Sequence, residues 1–478
     1  MRGGFVAPII IAIGLVLAGV VFALVGAVLR VEDAFLRSVL SGRGGEGPLG
    51  LMLDDLGMHF DSSTPSRLET ILATDPLDNS ALLNRARDAM ARIQAAHLSK
   101  YNAFDPALPP PTAPYVLVID QTRGDASVTA SGADRARFLE MLVFAQEEHP
   151  GCRVVIKTHP ETAQGFREGH FTDADANDRI TLLSDPVSPW ALFEGAVGVY
   201  TVSSQMGFEA IFAGHKPRVF GQPFYAGWGL TEDEIPVQRR QRRLTRAQLF
   251  AAAMILYPTW YDPYRDRLGS FETAVTSLAA QARAWREDHA GWDAWGMRLW
   301  KRRPLQQFFG QPTPIRFRKG PPEAPAPPRR AMVWASKADT APTGALQVED
   351  GFLRSRGLGA ELVPPLSLVC DNLGIYYDPT RPSRLERLIS QSVSLSDTEL
   401  RRARGLIDTL VDKGVTKYAS GTPDVPLPDT KGRRIILVPV SWFLTIIIGF
   451  GDDFLSMNIG ICRNMERIFS RMHRQSST

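Results

Sequence analysis

Three short stretches carry residue types that can do chemistry, and each directly follows a hydrophobic run. Asp120-Gln-Thr-Arg-Gly-Asp-Ala-Ser127 follows Tyr115-Val-Leu-Val-Ile119. Gly124 permits a tight turn and a close ligand approach. Asp125 then presents a carboxylate able to act as nucleophile or base, and Arg123 can hold an anion. The plainer alternative is a turn with solvated charges. Lys157-Thr-His-Pro160 ends the run Arg153-Val-Val-Ile-Lys157. Pro160 stops the strand, and the two-residue period of a strand puts Lys157 and His159 on one side. A cation beside an imidazole suits a departing phosphate and a proton transfer, although a polar rim would look the same. Thr201-Val-Ser-Ser-Gln205 leads into a helix carrying Glu209. Ser203 or Ser204 would cap that helix, and free N–H groups at a helix start also bind anions.

Weaker candidates surround these. Phe224-Tyr-Ala-Gly-Trp-Gly-Leu230 offers aromatics between glycines, for stacking on a ring or simply for packing a turn. Arg239, Arg240, Arg242 and Arg243 form a basic cluster, read as a solvated face or as a contact to an anionic surface. Asp173-Ala-Asp175 has the spacing of a metal-binding acidic pair, but it lies in a polar loop with no strand before it, so no metal site is assigned.

The elements that must position these residues alternate. Continuous apolar runs at Tyr115–Asp120, Arg153–Thr158 and Val197–Val202 read as buried parallel strands. A helix is expected over 133–148, with Phe138, Leu139, Leu142 and Ala145 on one face, and another from Gln205 to Ala213. Strand, helix, strand, helix is the pattern of a doubly wound α/β domain. In such sheets ligands sit beyond the carboxyl ends of the strands, where the three stretches fall.

The chain also repeats itself. Val31-Glu-Asp-Ala-Phe-Leu-Arg-Ser38 returns as Val348-Glu-Asp-Gly-Phe-Leu-Arg-Ser355, and Pro65-Ser-Arg-Leu-Glu69 as Pro382-Ser-Arg-Leu-Glu386. Pro48-Leu-Gly-Leu-Met-Leu-Asp54 matches Pro365-Leu-Ser-Leu-Val-Cys-Asp371, and Lys100-Tyr101 matches Lys417-Tyr418. One offset serves all of them, so the chain reads as a duplicated module with a shortened second copy. In each copy two short strands are expected (Leu49–Leu53 and Met58–Phe60; Leu366–Val369 and Ile375–Tyr377). A helix follows, capped by Ser66 or Ser383 with Glu69 or Glu386 as its capping-box partner. Residues 31–300 are read as the first module, 301–330 as a Pro/Arg-rich linker, 331–440 as the partial second module and 441–478 as a divergent tail.

Composition narrows the class. A formal net charge of +3 over 478 residues gives no reason to expect nucleic acid as partner. Three scattered cysteines make no CxxC pair, which fits a reducing compartment. Residues 1–30 differ: from Phe5 to Leu29 no residue is charged. That run of about 25 residues is long enough to be a membrane anchor, or it is a pair of buried strands opening the first domain.

On these motifs the sequence resembles the bacterial capsule polysaccharide β-Kdo transferases of the KpsC/LipA type, from about Val31 to Val438. The resemblance implies GT-B-like Rossmann-type modules that use CMP-Kdo as donor without a metal or other cofactor and retain anomeric configuration. It implies Asp125 as the nucleophile and His159 as acid/base. Gln121, Arg123, Lys157, Ser203, Ser204, Gln205 and Glu209 would serve the donor, and Glu32, Asp33 and Arg37 the acceptor side. It further implies a lipid-linked Kdo acceptor and work with capsule assembly proteins at the cytoplasmic face of the inner membrane. Two features depart from the family. The opening strand and helix are replaced by the apolar run, and Pro439-Val-Ser-Trp442 has no acid where the first copy has Asp125. The second module is therefore expected to be silent. An inactive tethered protein that binds sugar-lipid, and a transferase for another CMP-linked sugar such as sialic acid, are the competing readings.

Overall fold

The computed structural model describes residues 28–320, 329–357, 361–395 and 397–418. Most of the apolar run Phe5–Leu29, the Pro321–Pro328 stretch and everything from 419 onward, including the 439–442 loop, lie outside the described residues. Among the described residues no helix is long and apolar enough to cross a membrane.

A six-stranded parallel sheet forms the centre. Its order is Ile180–Leu183, Arg153–Lys157, Tyr115–Ile119, Ala196–Thr201, Arg218–Val219, Glu232–Asp233. All five residues of Tyr115–Ile119 are buried, which is why that strand reads as an unbroken apolar run. Its side chains alternate between two cores. Val116 and Val118 join Phe138, Met141, Leu142 and Ala145 on one face. Tyr115, Leu117 and Ile119 join Trp190, Phe193, Phe208 and Ile211 on the other. The helix expected over 133–148 is Arg135–Glu148, capped by Asp134. Its buried face uses Met141, whereas Leu139 points outward. The chain runs outward one way from Tyr115–Ile119 and then, from Ala196, the other way. The strand order therefore reverses between Tyr115–Ile119 and Ala196–Thr201, the place where doubly wound sheets form a ligand crevice beyond the strand ends.

A second, antiparallel sheet holds Arg30–Asp33, Gly50–Asp54, Pro258–Asp262 and Arg267–Gly269. The late strand Pro258–Asp262 comes back to pair with Gly50–Asp54. Gly50 allows that pairing, because a Cβ there would stand 2.6 Å from the Trp260 ring.

The third sheet corrects the expected organisation. Its order is Arg316–Phe317, Trp292–Trp295, Arg330–Trp334, Leu346–Asp350, Leu368–Asp371, the first four strands being parallel and the last antiparallel. Thus Trp292–Trp295, assigned to the first module, belongs to the sheet of the second. The segment read as a linker supplies the helix Leu299–Phe309 and the strand Arg316–Phe317. Burial explains this: Leu305 and Ile315 pack with Trp292, Met332 and Trp334.

The repeated motifs keep the same bonds at an offset of 317 residues. Asp54 Oδ1 accepts the N–H groups of Leu56 and Gly57, and Asp371 Oδ1 those of Leu373 and Gly374. These carboxylates draw the chain into turns, so Met58–Phe60 and Ile375–Tyr377 are not the strands expected; Asp61 N donates to Met58 O and Asp378 N to Ile375 O. Helices Arg67–Thr74 and Arg384–Gln391 follow, capped by Ser66 and Ser383. Glu386 completes a capping box, but Glu69 does not. Glu69 is drawn away to Arg239 and Arg240, both of which it bonds.

Candidate active site

The loop after Tyr115–Ile119 is bound into place at its base. Asp120 is buried, and its Oδ1 accepts the N–H groups of Gln121 (2.9 Å) and His170 (3.0 Å). Burial pushes its carboxyl up to about 6. Residues 164–171 lie along the loop as a strap: Arg123 N donates to Glu168 O, Arg167 Nη2 to Arg123 O, and Thr122 bridges Gly169. Gly124 has φ +70, the left-handed conformation that the turn requires. Arg123 is exposed and pairs with Glu168 at 2.8 Å.

Asp125 caps the short helix Ala126–Ala130. Its Oδ1 takes both the backbone N–H (2.8 Å) and the hydroxyl (2.6 Å) of Ser127. Among the described residues its other oxygen makes no hydrogen bond. Ser127 in turn lies 3.0 Å from the Ser203 hydroxyl, and Gln121 joins the two loops by accepting from Ser203 N (2.9 Å) and approaching both hydroxyls. Asp125, Ser127, Gln121 and Ser203 thus form one network across the crevice between Tyr115–Ile119 and Ala196–Thr201.

His159 caps the helix Pro160–Ala163, its Nδ1 accepting the Glu161 N–H at 3.2 Å. Burial drives its imidazole down to about 4, against an upward pull from the Asp125 charge. It is therefore neutral near pH 7. Lys157 is less free than its spacing suggested. Its ammonium donates to Asp185 O (2.8 Å) and Leu183 O (3.4 Å), tying down the end of the neighbouring strand, and burial lowers it to about 8. That leaves one of its three N–H donors for a ligand.

Ser204 caps Gln205–Ala213, accepting from Met206 N. Gln205 turns toward the repeated motif and donates to Phe35 O (2.6 Å). Glu209 does not line the open crevice. It is buried with one oxygen on the Ser99 hydroxyl (2.7 Å) and the other unpartnered, facing a small apolar cavity lined by Phe35, Trp190, Phe208 and Phe250. Burial pushes its carboxyl up to about 7. Glu32, Asp33 and Arg37 form a separate knot: Glu32 accepts from Asp33 N, Asp33 pairs with Arg37, and Arg37 donates to Ser38 Oγ and Glu46 O. Phe35 docks this knot onto the site, stacking on Phe224 at 4.5 Å between centroids.

The remaining expectations resolve into packing. Phe224, Tyr225 and Trp228 are buried, so that stretch is a packed turn. The arginine cluster divides: Arg243 is exposed, whereas the other three bond within the fold. Arg239 and Arg240 clasp Glu69, and Arg242 binds the carbonyls of Leu72, Asp75 and Pro76. Asp175 pairs with Arg135 and accepts from Thr172. Among the described residues no three His, Cys, Asp or Glu side chains gather in a way that could hold a metal ion. Ser127, Asp120 and Arg167, none of them expected as site residues, also hold the loop. Ser127 was legible as a hydroxyl two residues past the acid, the spacing of a side-chain cap.

A family model described as "Capsule polysaccharide biosynthesis protein" matches residues 26–259 and 326–413. The chain is 35% identical over 464 residues to the capsule polysaccharide modification protein LipA of Neisseria meningitidis serogroup B, covering 91% of this chain and 65% of that protein. It is 39% identical over 257 residues to the lipopolysaccharide-processing protein LpsZ of Rhizobium meliloti, covering 53% and 58%. The chain thus spans less than two thirds of the length of either of these relatives. Among solved structures it is similar to the β-Kdo 2,4 transferase KpsC of Thermosulfurimonas dismutans, with TM-score 0.51 and 38% identity over 53% of this chain and 79% of that one. On the match of the family model to well over half its residues, the chain belongs to the capsule polysaccharide biosynthesis protein family.

Proposed function

We propose that this chain is a glycosyltransferase that moves Kdo from CMP-Kdo to a lipid-linked Kdo acceptor with retention of configuration. The observation that carries the reading is Asp125: its Oδ1 is fixed by two bonds from Ser127, its other oxygen makes no hydrogen bond among the described residues, and its charge acts on a neutral His159. In the first step the Asp125 carboxylate attacks the anomeric carbon, the bond to the phosphate oxygen breaks, and CMP leaves with the bonding pair. In the second step the acceptor hydroxyl attacks the same carbon. Its proton passes to His159 Nδ1, the ring nitrogen that holds the free lone pair, displacing the Glu161 N–H bond there, and the bond to Asp125 breaks. Two inversions give retention, by the logic of retaining glycosidases. A CMP-linked donor leaves with a single phosphate. The reading assigns its charge to Arg123 and the remaining Lys157 donor rather than to a metal ion.

Work on a lipid-linked acceptor places the protein at the cytoplasmic face of the inner membrane, beside other capsule assembly proteins. The similarity to LipA and to a Kdo transferase supports this setting. The test is CMP release from CMP-Kdo with a synthetic Kdo-lipid, comparing the intact chain with Asp125→Ala. Release and product that vanish in the variant support the reading. No product from the folded, intact chain overturns it.

A further inference from the structure

Lys100 occupies a built seat between the repeated motif and the helix Gln205–Ala213. Its carbonyl accepts the N–H groups of Arg37 (3.2 Å) and Ser38 (3.4 Å). Its neighbour Ser99 donates to Glu209 at 2.7 Å, and Asn102 donates to both Ser38 O and Ser99 O at 2.9 Å. The backbone is therefore locked on both sides. The side chain is half-buried, with its ammonium 5.7 Å from the centre of the Tyr101 ring. Among the described residues that ammonium makes no hydrogen bond or ion pair. Its charge nevertheless acts on His59, His159 and Glu209, which belong to three separate segments. All three thus lie within electrostatic range of the Lys100 charge.

The arrangement occurs twice. Lys417 O accepts the N–H groups of Arg354 (2.8 Å) and Ser355 (3.2 Å), and its ammonium stands 5.6 Å from the Tyr418 ring. The chain keeps a Lys-Tyr pair in one backbone setting in both repeats. Partial burial of a cation costs solvation, which a counter-ion offsets. Glu209, a carboxylate within electrostatic range, spends its one bonded oxygen on Ser99 and Gln205.

We propose that Lys100 is an anion-binding residue of the site, receiving a carboxylate or phosphate of a bound substrate. This rests on the sugar-transfer reading for the identity of the anion, but not for its existence. The experiment uses the full chain and its Lys100→Gln and Lys100→Arg variants, with inorganic phosphate, CMP and free Kdo as probes in calorimetry. Thermal melting checks that each variant folds. The expected result is that Lys100→Gln weakens at least one probe tenfold or more with melting unchanged, and that Lys100→Arg restores most of the loss. Loss of Kdo alone identifies the carboxylate; loss of phosphate and CMP identifies the phosphate group. The proposal is overturned if Lys100→Gln binds all three probes as the wild type does, or if the wild type binds none. Failure of the transfer reading is seen separately, as a wild-type chain that binds an anion through Lys100 yet releases no CMP from CMP-Kdo.

Discussion

Ser127 holds Asp125 through one oxygen, giving it a hydroxyl bond of 2.6 Å and an amide bond of 2.8 Å. The same hydroxyl lies 3.0 Å from that of Ser203, so the acid on one loop is oriented by the loop on the other side of the crevice. Ser127→Ala keeps the amide bond and loses the bridge. Transfer should fall by roughly 10- to 100-fold, since small misplacement of a reacting group is costly. The fold should lose no more than about 1 kcal/mol. Steady-state rates beside chemical denaturation check this, and an unchanged rate would remove Ser127 from the site.

The lowered pKa of His159 sets a pH profile. A histidine held at about 4 stays neutral, and able to accept a proton, down to about that pH. The rate of transfer should therefore show no acid limb near 6.5 and should stay level between about pH 5.5 and 7.5 if His159 is the base. A limb near 6.5 that disappears in His159→Gln would show His159 titrating at its ordinary value and contradict the lowered pKa.

Glu69 and Glu386 stand at equivalent places and should respond differently. Glu69→Gln leaves the buried Arg240 without its charge partner, which should cost on the order of 3–5 kcal/mol. Glu386→Gln touches only a capping box and should cost about 1 kcal/mol or less. Melting curves of the two variants decide it; equal losses would refute the clasp.

Glu209 makes stability pH-dependent. Its folded-state pKa is raised to about 7 by burial, above its ordinary 4.5. Its contribution is thus fully favourable below about pH 4.5 and is lost as pH rises through 7. Glu209→Gln, which can keep the Ser99 bond, should be more stable than wild type at pH 8 and nearly equal to it at pH 4.5. A difference that does not vary with pH would mean that Glu209 titrates normally.

The central sheet was legible because buried parallel strands must be apolar along their whole length, as Tyr115–Ile119 and Arg153–Lys157 are. The strand ends then pointed to Asp125, His159 and Ser203, which the structure gathers in one region. Pairings across long sequence separations were not legible. Nothing local at Glu69 announces Arg239 and Arg240, 170 and 171 residues away. Leu299–Phe309 was hidden by its Arg content and by Pro304, which a helix tolerates here in its second turn. Arg316–Phe317, two residues long, carries no periodic signal. Lys157 was correctly placed at a strand end, but its partners are the carbonyls of Leu183 and Asp185, and backbone groups of another strand leave no trace in side-chain pattern.

The central claim is that Asp125 bonds covalently to the sugar. The direct measurement is intact-protein mass spectrometry of the chain mixed with CMP-Kdo in the absence of acceptor, followed by peptide mapping. The account predicts a mass gain of one Kdo residue, located on Asp125, that disappears when acceptor is added and never forms in Asp125→Ala. Full transfer activity in Asp125→Ala, or an adduct mapped to another residue, would contradict it.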